Sequence, residues 1–498
     1  MSTGLRYDFH VRIYYFNLFF LILLGGCSLG SNYEQPALQT KVPDAWHSNV
    51  VGAFNDSPLD VSQWWYRFDD PVLIALISES QKRNVSLKIA VSNLKQARSQ
   101  YGVAASEYSP DITAVGRVER EQGSDNSPGL AAFPNAIAPV VNDFKIGLDA
   151  SWEVDLWGRI SKSVEAASAS FEAELEQYRD TLITLRAEVA SSYINVRVLQ
   201  VKKLLAEIYI ETLKDSLALI EEEYAQGIIS RITMEQQRAM YDQGITVLPE
   251  YESLLTQECA RLAVLIATDI THIQSMIVDP STVPRANPKV AVGIPADVIR
   301  QRPDIRAAER ALAAQAALVG AKIADLYPRL SLSGAFGYEA TESNDLMQWS
   351  SRAYSVGPSF TWDIFNGDRI RSQIQLQEEK AEEAYLQWEL VVLGAFAEVE
   401  VAMVSLIQSG KIQESMNDAS QSAVTATLLT ENLVQAGAQN RQSFLIAKQN
   451  SIEQQLKLVE QTGVVSQNLI ALYKALGGDW GDGPGPDVKP IAHIRKKK

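Results

Sequence analysis

The 498-residue chain is short of almost everything that marks a catalyst. It has two cysteines, Cys27 and Cys259, too few for a disulfide framework. Its four histidines, His10, His47, His272 and His493, are far apart and show no ligand spacing. HExxH, GxSxG, Walker A and CxxC are all missing, so metal-assisted and nucleophilic catalysis have no support and no metal or cofactor is expected. Basic charge is scarce as well. Lys and Arg number 45 against 60 Asp and Glu, a formal net charge of −15. No basic stripe precedes Arg495–Lys498, which excludes a nucleic-acid partner, because phosphate binding needs clustered cations. Beyond the N-terminus, no run reads as apolar enough for a membrane helix. Proline and glycine are absent from residues 159–226. A helix over that stretch would be about 100 Å long.

What is present begins at the N-terminus. Arg6 and Arg12 precede an apolar run from Ile13 to Leu24, broken by Asn17. It is too short to span a bilayer comfortably and fits a signal-peptide core. The run ends in Leu24-Gly25-Gly26-Cys27, which resembles the lipobox of bacterial lipoproteins. In that class the cysteine carries the lipid, and several acyl chains anchor stably. Ser28 stands where lipoproteins kept at the inner membrane carry Asp, which favours outer-membrane sorting. An ordinary signal peptide with a chance cysteine fits the same stretch. Cys259, among Leu254, Leu255, Leu262 and Leu265, reads as a small core side chain.

The rest of the chain is duplicated. Trp152-Glu-Val-Asp-Leu-Trp-Gly-Arg159 is matched 210 positions on by Trp362-Asp-Ile-Phe-Asn-Gly-Asp-Arg369. Pro110 is matched 218 positions on by Pro328. Each copy passes from helical spacing to strict alternation and back. Strands are expected at about 111–121, 143–156, 329–340 and 353–365. In the second of these, Phe144, Ile146, Leu148, Ala150, Trp152 and Val154 alternate with Lys145, Gly147, Asp149, Ser151, Glu153 and Asp155. Alternation alone suits a half-buried soluble sheet. Strand length and aromatics near strand ends suit a lipid-facing barrel wall.

Four strands cannot close a barrel, and open edges in lipid cost several kcal/mol per unpaired group. Two copies would give eight strands, with an interior filled by side chains. Three copies give twelve strands and room for a channel. If the apolar face meets lipid, then Arg117, Glu119, Lys145, Asp149, Glu153, Asp155, Glu339 and Asp363 face the lumen. Gly227 and Gly437 end the long helices. The turns that follow supply further candidates for a gate or partner contact: Ser230, Arg231, Thr233, Asn440, Arg441 and Ser443.

Five ordered stretches carry a family resemblance: Trp64-Trp-Tyr-Arg-Phe-Asp-Asp-Pro71, Trp152–Ile160, Arg302-Pro-Asp-Ile-Arg-Ala-Ala-Glu309, Tyr327-Pro-Arg-Leu-Ser-Leu332 and Ala475-Leu-Gly-Gly-Asp-Trp480. Together they resemble the TolC-like outer-membrane factors, in particular the lipoprotein branch often called the NodT family. The resemblance implies a mixed α and membrane-β fold: a trimeric twelve-stranded outer-membrane barrel, four strands per chain, continued by a long periplasmic α-helical barrel. It implies a periplasmic adaptor and an inner-membrane transporter as partners, and a passive exit duct for small toxic compounds. Family members often carry an Arg-Tyr pair before the tip glycine and a Leu-Asp pair after it. Here Glu223-Tyr224 and Leu433-Val434 come before, and Ile232-Thr233 and Gln442-Ser443 after, so the acidic member is missing from both turns.

The expected organisation is a signal peptide over 1–26, an anchored segment over 27–70, repeats over 71–290 and 291–480, and a disordered tail over 481–498. A duct for protein secretion or metal efflux, or a non-conducting structural envelope lipoprotein, remain as alternatives.

Overall fold

The computed structural model describes residues 33–40, 46, 63–124, 140–278, 282–286 and 301–479. After a short 3-10 turn at Trp64–Phe68, the first repeat runs through α1 (Pro71–Arg83), α2 (Val85–Ser106), β1 (Asp111–Gln122), β2 (Val140–Val154) and α3 (Arg159–Ala225). It returns through α4 (Arg231–Gly244), α5 (Val247–Ile266) and α6 (Ile270–Met276). The second repeat holds α7 (Pro303–Ala324), β3 (Arg329–Ala340), β4 (Arg352–Thr361), α8 (Arg369–Gln435) and α9 (Arg441–Ala475). Cys27, and the segments expected as signal peptide and tail, lie outside the described residues.

The two long helices have 67 residues each, about 100 Å at 1.5 Å per residue. Both start after a left-handed residue, Gly158 (φ 82°) or Asp368 (φ 61°), which turns the chain sharply out of the sheet. The helical spacing between Pro71 and Ser106 runs on without a proline, but the structure divides it into two helices. Asn84 breaks it, accepting from the Leu87 amide at 2.8 Å and donating to the Leu265 carbonyl at 2.7 Å. Pro303 starts α7 at its first turn, as its spacing predicts.

The core sits around the middle of α3. Leu182, Leu185, Val189, Tyr193 and Ile194 meet Trp64, Leu73 and Leu76 on one side and Leu262, Met403 and Leu469 on others. Trp64 stacks on Tyr473 with ring centroids 5.3 Å apart. Cys259 is buried in this cluster, and burial pushes its thiol pKa up, so it acts as a small apolar side chain. One expectation needs correction. α8 is long and apolar enough, by length and composition, to cross a membrane. Its Val392, Phe396, Val399 and Leu406 are buried against neighbouring helices, so core packing accounts for part of its apolar character.

All four strands form one antiparallel sheet in the order β1-β2-β3-β4. Among the described residues, the pairing leaves one edge of β1 and one edge of β4 free. The helices lie at one end of this sheet, because β2 and β4 both run directly into the long helices.

Candidate functional site

Registered partners in an antiparallel sheet share a face. Asp149 pairs with Thr113 and Ala335, and Leu148 with Ala114 and Phe336. Continued across the sheet, the odd-numbered residues of all four strands form one face and the even-numbered residues the other. The even face is apolar: Ile112, Val118, Ile146, Leu148, Trp152, Leu332, Phe336, Tyr354, Val356 and Phe360. These side chains are not packed away. Val356 is 77% exposed and Phe360 75%. Of the exposed large apolar side chains in the described strands, all but Val141 lie on this face.

The odd face is polar and built from small residues: Ser151, Ser331, Ser333, Ser355, Gly357 and Ser359 sit among charged ones. Two hollows in the sheet open mainly on this side. One lies between Lys145, Asp149, Ala335 and Glu339, the other between Asp111, Thr113, Asp149 and Ser333. Gly147 and Gly337 face each other here. A Cβ on Gly147 would lie 2.7 Å from the Phe336 carbonyl oxygen, and one on Gly337 would lie 2.5 Å from the Ile146 carbonyl oxygen. Only glycine fits at this close approach of the two strands.

The sheet brings together Arg117, Glu119, Lys145, Asp149, Glu153 and Glu339 on the odd face. Arg117 pairs with Glu119. Glu153 holds Arg159 at 2.8 Å, and Arg159 also reaches Glu107 at 2.9 Å, which ties strand, helix α3 and the end of α2 together. Asp155 and Asp363 are a correction: both lie beyond the strands. β2 stops at Val154 and β4 at Thr361, because a tight turn closes there (Leu156 N–H to Val154 O, 2.8 Å; Ile364 N–H to Trp362 O, 3.0 Å). Asp155 caps α3 instead, accepting from the Ile160 and Ser161 amides at 3.1 and 2.8 Å. Asp363 accepts from Arg369 at 2.9 Å. The second repeat has Phe365 where the first has this cap, and the Asp368 side chain at the start of α8 makes no cap bond.

The far ends of the long helices are a second candidate region. Each closes in a glycine-based C-terminal turn. Ile228 N–H bonds to Glu223 O and Gly227 N–H to Tyr224 O; Ala438 N–H bonds to Leu433 O and Gly437 N–H to Val434 O. Both glycines have positive φ, 73° and 72°. The predicted polar residues then cap the returning helices. Ser230 accepts from the Thr233 amide at 3.3 Å, and Asn440 accepts from the Ser443 amide at 2.9 Å and its hydroxyl at 2.7 Å. These four side chains therefore bond within their own turns. Arg231 and Arg441 are exposed, Arg231 with Glu235 at 3.4 Å.

Sequence reasoning missed a clasp below the sheet. Arg186 is 1% exposed, lies over Trp65 at 4.5 Å and donates to the Asp479 carbonyl. The Asp479 carboxylate accepts from the Gln63 amide at 2.8 Å. Arg302 donates to the Ala475 carbonyl at 2.9 Å and pairs with Asp304 and Glu398 at 2.6 and 2.8 Å. Three of the family-like stretches thus meet in one place. Their spacing gave the signal, since each joins a helix end to a buried aromatic or charge.

With this geometry in hand, the comparisons with known proteins are direct. A family model described as outer membrane efflux protein matches residues 76–268 and 294–478. Outer membrane protein OprJ of Pseudomonas aeruginosa is 27% identical over 94% of this chain and 96% of its own. Toluene efflux pump outer membrane protein TtgI of Pseudomonas putida is 27% identical over 93% and 97%. The solved outer-membrane channel OprN superposes with a TM-score of 0.82 at 26% identity, covering 91% of this chain and all of that one.

Proposed function

This chain belongs to the outer membrane efflux protein family and is an outer-membrane channel subunit of an efflux system; from that premise we propose that three copies close one barrel and form a passive exit duct. The observation that carries this reading is a sheet with an exposed apolar face, a polar face and two free edges. In lipid, such edges must find strand partners, and only other copies offer them. Three copies supply twelve strands, enough to leave a lumen.

In this arrangement the even face meets lipid and the odd face lines water. The wall then carries Glu119, Asp149, Glu153 and Glu339 against Arg117 and Lys145, an acidic excess. The pore conducts with mild cation selectivity. Reconstituted protein in a planar bilayer under a salt gradient should give a reversal potential of that sign. A correctly assembled protein without conductance would end the duct reading, and anion selectivity would end the assignment of faces.

The duct itself does no chemistry. Energy for export comes from an inner-membrane transporter, joined through a periplasmic adaptor at the helix tips near Gly227–Thr233 and Gly437–Ser443. Cargo is small toxic compounds, chosen by the pump rather than by this wall.

The proposed lipid on Cys27 agrees with the path of the segment that follows it. Tyr33 packs near Ala169, Ala313 and Ala314. Gln39 donates its amide to the Tyr385 hydroxyl at 3.0 Å, and Thr40 donates its amide to Glu389 at 2.8 Å. The strap thus lies along α7 and α8. Ala169 is about 15 Å down the α3 axis from Arg159, where the chain leaves the sheet. The six links between Cys27 and Tyr33 span at most about 20 Å. A segment of that length is long enough for a lipid on Cys27 to sit at the membrane surface. Cys27→Ala should leave the barrel assembled but abolish labelling by radioactive palmitate. Undiminished labelling would refute the attachment site.

A further inference from the structure

The free edges of the sheet can be matched residue by residue, because the chain already contains one example of the same seam. Pro110 maps onto Pro328 in 218 steps, and Trp152 onto Trp362 in 210. The strand partners obey these steps. Asp111 pairs with Ser151. Moving the first by 218 and the second by 210 gives Arg329 and Thr361, which are partners in the second hairpin. The other end agrees: Arg120 with Asn142 maps onto Tyr338 with Arg352, again observed partners. The two hairpins therefore share one register.

The β2–β3 seam joins the second strand of one repeat to the first strand of the next. A seam from β4 to β1 of a second copy is the same junction repeated. The observed pairs Ala150 with Gly334 and Ser151 with Ser333 can thus be carried across. On the reading that copies close one barrel, we infer that Phe360 pairs with Gly116 of the partner subunit and Thr361 with Val115 of the partner subunit. The kind of partner this edge fits is a second copy of this chain, in that one register.

Side-chain chemistry supports the match. Faces are kept: Phe360 stays on the apolar side and Thr361 on the polar side. A slip of one residue would turn the apolar row of β4 toward the polar row of its neighbour. Gly116 has open space where a Cβ would stand, and Phe360 is exposed. An aromatic ring across a glycine is a recurrent way to cover strand backbone. A slip of two residues keeps the faces but moves the ring to Ala114 or Val118. One local difference follows from the sequence. Glu119 takes the place of Gly337, so the tight approach between Gly147 and Gly337 is not repeated, and the seam is wider at that level.

Paired cysteines test the register in the full lipoprotein, with Cys259→Ala as background and Cys27 kept. Thr361→Cys combined with Val115→Cys should give a covalent trimer on a non-reducing denaturing gel. Ser359→Cys combined with Arg117→Cys should do the same and guards against one variant misfolding. Thr361→Cys with Thr113→Cys, or with Arg117→Cys, should stay monomeric. A two-residue shift adds about 6.8 Å along the strand, and Cα atoms more than about 7 Å apart cannot be bridged. Ser151→Cys with Ser333→Cys is the control, since those residues pair within the chain. Cross-linking of a shifted pair alone would overturn the register while leaving barrel closure by copies intact. If the control bond forms but no inter-chain pair links in any register, barrel closure by copies fails, and the register with it.

Discussion

Replacing Leu148 by Arg should remove the protein from the outer membrane, while replacing its neighbour Asp149 by Arg should leave an assembled channel. The two positions are adjacent in the same strand and both lie well inside the sheet. Leu148 pairs with Ala114 and Phe336 on the apolar face; Asp149 pairs with Thr113 and Ala335 on the polar one. If the apolar face meets lipid, an Arg at mid-depth costs about 2–4 kcal/mol per chain. That cost is met once in each of three copies. Asp149→Arg puts its charge into water and exchanges an acid for a base, so it should shift selectivity toward anions. Fractionated membranes and the oligomer band on a mild gel read both effects. Equal assembly of the two variants would contradict the lipid-facing assignment.

Arg186→Ala should be the most destabilising single change outside the membrane. The guanidinium is buried, covers Trp65 and supports the turn at Asp479 that follows α9. Its removal takes an ion partner at 3.9 Å from the Asp479 carboxylate, which is 6% exposed and keeps the Gln63 amide. Breaking one side of a buried pair costs about 3–5 kcal/mol. Arg186→Lys should recover only part of this, because an ammonium can neither fork its donors nor lie flat on an indole. Thermal melting of the detergent-solubilised protein checks it. A melting temperature unchanged by Arg186→Ala would show that the clasp does not hold the Gln63 and Asp479 segments together.

The parts of the fold that repeat with a fixed period were legible from the sequence. Alternation placed the strands, and the lack of proline and glycine over 159–226 placed the first long helix to within a residue. The ends of β2 and β4 were misread, because Asp155 and Asp363 continue the alternation numerically. What stops the strands is a tight turn just past each, closed by Leu156 N–H to Val154 O in one copy and by Ile364 N–H to Trp362 O in the other. Neither turn breaks the alternation in the sequence. The break at Asn84 was hidden for a similar reason. Asn84 caps the next helix and reaches a carbonyl nearly two hundred positions away, a contact no local pattern carries. The faces of the sheet were legible, whereas the tip was not. Ser230, Thr233, Asn440 and Ser443 were read as gate or contact candidates, and their hydrogen bonds lie within the caps they form.

In the proposed duct one face of the sheet meets water and the other meets lipid. Single cysteines placed in turn at residues 145, 146 and 148 to 151 of β2, in protein reconstituted into lipid, test it with a membrane-impermeant charged thiol reagent. Lys145, Asp149 and Ser151 positions should react, and Ile146, Leu148 and Ala150 positions should not, if β2 is one stave of a water-filled barrel. Reaction at every position, or the opposite alternation, would contradict it.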